Sequence, residues 1–96
     1  MSSVPRDLSV TSVSASSIRA DALFASALQR SDRPSPGQVR QAIAAAAARY
    51  GAAGCAARVA QAFGEHPETA AIRMRWARTA VAGVFGAARP ELARVA

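Results

Sequence analysis

The residues best placed to do chemistry lie in and around the stretch Val59 to Arg78. Arg58, Arg73, Arg75 and Arg78 surround Glu68 and Thr69, with Trp76 among the arginines. Guanidinium groups bind phosphates and carboxylates as planar forks, so this clustering suits an anionic partner. The same stretch has the outline of a helix-turn-helix. A short helix ends at Phe63-Gly64, a polar turn follows at Glu65-His66-Pro67, and a second helix carries the arginines. That motif wants a small residue where the helices cross, a glycine at the turn, and apolar residues at the inward positions of the second helix. Ala60, Gly64 and Ala70 meet these needs, with Val59 and Phe63 as core anchors. Glu65 falls at an apolar turn position, and Arg73 falls where an inward aliphatic belongs. Met74 serves there only if the turn is shifted by one residue.

On the DNA-binding reading, the helix from Pro67 to Phe85 lies in the major groove, which is wide enough to admit it. Glu68, Thr69 and Arg73 then meet base edges, while Arg58, Arg75 and Arg78 meet phosphates and make the affinity salt-dependent. The plainer reading is an ordinary helical corner with solvated arginines. Trp76 and Phe85 then serve as core or interface residues of a homo-oligomer, in keeping with the use of large aromatics at interfaces.

Other chemistries find no support. His66-Pro67-Glu68 has the His-x-Glu of zinc deaminases, but those enzymes need a downstream cysteine pair, and no cysteine follows Cys55. The only histidine has no acid partner at a recognisable spacing for a hydrolytic triad. Glu65 and Glu68 straddle the turn with no second acid pair, which argues against acid–base work by carboxylates. Gly51-Ala52-Ala53-Gly54 lacks the Lys-Ser/Thr of a phosphate-binding loop. The expectation is a protein that is not an enzyme, with no cofactor and no metal. Cys55, the only cysteine, reads as a small buried apolar residue.

These residues must be positioned by a small frame. Ninety-six residues allow one domain, and its core has to be built largely from alanine, which fills space poorly. A thin core points to a partner subunit. Twelve arginines stand against six acids, with no lysine, for a net charge of +6. Surplus positive charge favours nucleic acid or acidic protein surfaces. The same composition also fits a coding sequence rich in G and C. The N-terminus lacks a secretory pattern and no apolar run is long enough for a bilayer, so a cytoplasmic protein with no membrane partner is expected.

The chain divides into a Ser/Val-rich arm over 1–15, an all-helical domain over 16–86, and a tail over 87–96. All ten serines precede residue 36. The periodicity predicts four helices: 17–30, with Ala20, Leu23, Phe24, Ala27 and Leu28 inward; 36–50, with Val39, Ile43, Ala46, Ala47 and Tyr50 inward; 54–63, with Cys55, Val59, Ala62 and Phe63 inward; and 67–85. In the last, Ala70, Met74, Ala77, Val81 and Val84 form one stripe, and Ile72, Trp76 and Ala80 an adjacent one. Ser35-Pro36-Gly37-Gln38 has the form of a capping box. The fold class expected is all-α, a trihelical helix-turn-helix-like core with an additional N-terminal helix.

The phrases DALFASALQRSD, SPGQVRQAI, GCAARVAQAFGEHPETA and RMRWAR resemble a group of short helical proteins of high-G+C actinobacteria, over about two-thirds of the chain. That resemblance implies a bacterial cytoplasmic origin and no catalytic or binding residues. Function is therefore expected in one of two forms: a non-enzymatic regulatory protein binding DNA through the 67–85 helix as a dimer, or a helical adaptor that binds another protein through Ala-lined grooves.

Overall fold

The computed structural model describes residues 15–86, and among them the regular structure is helical, with no strand. Of the arm expected over 1–15, residues 1–14 lie outside the described residues, as does the tail over 87–96, and Ala15 is already helical. Residues 15–25 form α1, Pro36–Glu65 form α2, and Pro67–Phe85 form α3. A short 3-10 turn, Arg30–Asp32, lies between α1 and α2.

α1 stops before its expected end at Arg30. The Ser26 hydroxyl donates to the Leu23 carbonyl at 2.6 Å and accepts from the Leu28 backbone N–H at 3.2 Å. A serine that satisfies the backbone locally competes with continuation of the helix. α2 starts where its sequence says it should. Ser35 accepts from Gln38 N–H at 3.2 Å, and the Gln38 side chain accepts from Ser35 N–H at 2.8 Å, with Pro36 at the first helical position.

The two central helices expected over 36–50 and 54–63 are limbs of one kinked element. Gly51 alone leaves helical geometry, at φ 72° and ψ 170°, and the helix resumes at once. That conformation belongs to glycine, because a side chain clashes with the backbone there. The limbs fold against each other closely: the Cys55 thiol reaches the Ala46 carbonyl oxygen at 3.7 Å, where an unbroken helix would separate residues nine apart by roughly 13 Å. Gly54 permits this approach, since a Cβ there would lie 2.9 Å from Tyr50 Cβ.

The second junction corrects the helix-turn-helix expectation. Gly64 keeps helical geometry inside α2, Glu65 is its last residue, His66 alone is non-helical, and Pro67 opens α3. A helix-turn-helix needs a turn of about three to four residues to set its crossing angle. Here the expected turn is a one-residue corner, favoured by the absent N–H and preset φ of Pro67.

The core joins all three helices. Ala20, Leu23 and Phe24 from α1 meet Val39 from α2 and Ala70, Met74, Ala77 and Val81 from α3. The α3 stripe is the one its spacing predicts, with Val84 half-buried at its end. A second cluster, Ala22, Ala46 and Cys55, fills the angle of the α2 kink. Burial raises the Cys55 thiol pKa, helped by the charge of Asp21 and opposed by Arg58, so the thiol stays protonated and inert at neutral pH. Four inward expectations fail: Ala27, Ala47 and, on α3, Ile72 are exposed, and Phe63 is 38 % exposed, stacking its ring on Phe24 with centroids 6.3 Å apart. Leu23 is fully buried at the centre of this alanine-rich core. Leu23→Ala is expected to cost about 3 kcal/mol, read by thermal or denaturant unfolding, because small neighbours offer little to refill the cavity.

Candidate interaction surface on α3

α3 shows one face to the core and the other to solvent. Glu68, Ile72, Arg75 and Thr79 are exposed and recur at three- and four-residue intervals, which places them along one outward line. Thr69 is exposed at its edge. Ile72, expected in a buried stripe, is 53 % exposed. Its stripe neighbours Trp76 and Ala80 are half-buried and pack against the core from the side.

Arg73, expected to read base edges, is turned inward. Its Nε donates to the Phe24 carbonyl at 2.9 Å, and its Nη2 donates to the carbonyls of Ser26 and Leu28 at 3.0 Å each and, more weakly, of Leu23 at 3.4 Å. The last carbonyls of a helix lack partners within the helix. Leu23 and Phe24 lie in the last turn of α1, so Arg73 of α3 caps that end in trans. The guanidinium lies 5.5 Å from the Phe24 ring centroid and 5.3 Å from that of Trp76, in range for cation–π attraction. Burial lowers its pKa from the usual arginine value, yet a guanidinium stays charged at any ordinary pH. Arg73 thus ties α3 to the end of α1 through Nε and Nη2, while it also lines a groove with Thr69, Ile72 and Trp76.

The other arginines divide. Arg75 and Arg78 are exposed and border one recess with Phe63, Met74 and Thr79. Arg78 also feels Asp21, whose carboxyl pKa is raised by desolvation and pulled back by the Arg78 charge. Arg58 is not part of that recess: its guanidinium sits 3.9 Å from the centroid of Tyr50, at the α2 kink. Phe85, expected at an interface, packs within the chain, half-buried, with Arg19 at 4.3 Å and Arg40 at 5.9 Å from its centroid. Several arginines thus spend their planar faces on the fold's own aromatics.

Trp76 is half-buried and lies between two shallow grooves, lining both. One is bordered by Thr69, Ile72 and Gln29, the other by Pro34, Val39, Ala80 and Val84. Arg30 lines both, and Arg33 lines the second. These two arginines were not picked out in the sequence. The signal lay in Ser31-Asp32-Arg33-Pro34, which reads only as a loop until α3 packs beside it.

Among the described residues, no group of three or more His, Cys, Asp or Glu side chains is placed to hold a metal ion, and no helix is long and apolar enough to cross a membrane. The fold and this surface define a small all-helical protein with a basic, partly apolar outer face. No protein-family model, curated protein or solved structure matches the chain.

Proposed function

We propose that this is a non-enzymatic helical adaptor that binds another protein through the outer face of α3. One observation carries the reading: Ile72, in the middle of that face, is more than half exposed beside the half-buried Trp76. A fold short of large apolar residues gains by burying every one it has, at about 25 cal/mol per Å2. Leaving a large aliphatic beside the tryptophan on an outer face suits a surface completed by a partner, where a Trp anchor and an arginine rim are the common composition. The reading predicts a stoichiometric protein partner that copurifies with the wild type. Ile72→Asp should abolish copurification and leave the thermal midpoint within a few degrees, since the site is exposed. Retention of the same partner by Ile72→Asp would remove this face from consideration.

DNA binding remains the second reading, supported by the joint exposure of Glu68, Thr69 and Arg75 on the N-terminal half of α3, with Arg78 at its flank. Its contact set no longer includes Arg73. A mobility shift at low salt tests it. Binding to long duplex DNA that weakens steeply with salt and falls in the Arg58→Ala/Arg75→Ala/Arg78→Ala variant supports it, while no shift at low salt excludes it.

A further inference from the structure

The strongest unexplained feature is the segment that faces Trp76. Arg33 holds φ 49° and ψ 58°, the one positive-φ residue other than glycine among the described residues. Glycine would occupy that position with less strain. A strained arginine in an exposed turn is an outlier that points to use. The turn is pinned in place: Asp32 Oδ2 accepts from Gln29 N–H at 2.9 Å, and Arg33 N–H donates to the Arg30 carbonyl at 3.1 Å. Arg30 and Arg33 both line the groove beside Trp76, and no carboxylate is among the residues lining either groove.

Resting on the reading of α3 as a protein-binding face, we infer that the grooves on either side of Trp76 receive an acidic amphipathic helix of a partner protein. Its apolar residues fill the space beside Ile72, Trp76 and Ala80, and its carboxylates meet Arg30 and Arg33. The surface is long enough. From Thr69 to Val84, α3 covers roughly 22 Å at its rise per residue, about four turns of a docked helix. Helix-in-groove docking reads apolar residues at three- and four-residue spacing, which two grooves separated by a tryptophan ridge can accept. A second copy of this chain fits poorly, because a two-fold contact on this patch would bring Arg30 and Arg33 toward their own equivalents. Duplex DNA offers the charge but no apolar side chains for the grooves.

The test uses the full chain and a display library of random peptides of about sixteen residues, the length that spans the groove, with counter-selection against the Ile72→Asp variant. Trp76 is the only tryptophan, so its fluorescence reports binding at this site directly. The expected result is enrichment of acidic peptides with apolar residues at helical spacing that shift Trp76 emission saturably. Arg30→Glu with Arg33→Glu should weaken them at least about tenfold. Arg33→Gly should weaken them several-fold while its melting temperature stays level or rises, a split that a merely structural arginine does not produce. Enrichment of Ile72-dependent peptides that are neutral or basic would overturn the acidic-helix inference and leave the adaptor reading standing. Failure to enrich any Ile72-dependent peptide would overturn both. A dimer in sedimentation that Ile72→Asp dissolves, or a Trp76 response to duplex DNA alone, would assign the face to a different occupant and overturn the inference.

Discussion

Arg73→Met is expected to destabilise the protein by about 2–4 kcal/mol, a loss set by removing a charged donor from carbonyls that then have no replacement. The figure is kept below that of a fully buried charge because Arg73 is only half-buried. The Phe24 and Leu28 carbonyls lose their side-chain donor, and α1 loses the cap that ties its end to α3. Methionine keeps much of the side-chain volume, so the loss reports the hydrogen bonds more than a cavity. For a domain of this size the thermal midpoint should fall on the order of 15 °C. Amide exchange should rise first over residues 20–28, since the damage is local to the α1 end. Arg73→Lys retains the charge but offers one compact donor group in place of a planar fork, and should recover only part of the loss. A Met variant that melts with the wild type, yet loses DNA in a mobility shift, would return Arg73 to the role its sequence position suggested.

Gly51→Val should be comparably damaging, at about 3 kcal/mol, with Gly51→Ala at about 1–3 kcal/mol. The cause is conformational alone. A Cβ at Gly51 would meet nothing within 4 Å, so only the φ of 72° and ψ of 170° oppose a side chain. Gly64→Ala is the matching control. Gly64 lies in helical geometry with open space around it, so alanine there should stabilise by roughly 0.5–1 kcal/mol. Chemical denaturation of the three variants side by side decides the matter. A helix-turn-helix with its glycine at a positive-φ turn demands instead that Gly64→Ala be harmful too.

The sequence ends a helix at both glycines, and the structure does so only at Gly51. Both follow an apolar-periodic run, and either can end a helix. Local pattern could not tell that the chain would continue helically through Gly64 and resume its helix straight after the break at Gly51, because either outcome leaves the apolar periodicity nearly intact. Arg73 was illegible for a different reason. Its position on α3 lies at the edge of the buried stripe, and its fate depends on whether unpaired carbonyls lie opposite. Those carbonyls belong to the last turn of α1 and to the segment just after it, some 45 to 50 residues away in the chain. Ile72 has apolar neighbours at helical spacing, a pattern that predicts an inward position. α1 packs over the other side of α3, so Ile72 had nothing to bury against.

The sequence by itself determined the helical class, the capping box at Ser35, and the inward stripe Ala70-Met74-Ala77-Val81, because each depends on propensity, short-range hydrogen bonds or a period of 3.6 residues. Only the tertiary structure decided which arginines are free. Arg73 became a cap, and Arg58, though exposed, lies over Tyr50, while Arg30, Arg33, Arg75 and Arg78 are exposed with no aromatic ring beneath them among the described residues. A guanidinium takes whatever carbonyl, ring or solvent the packing of distant elements sets beside it, and no spacing along the chain encodes that neighbour.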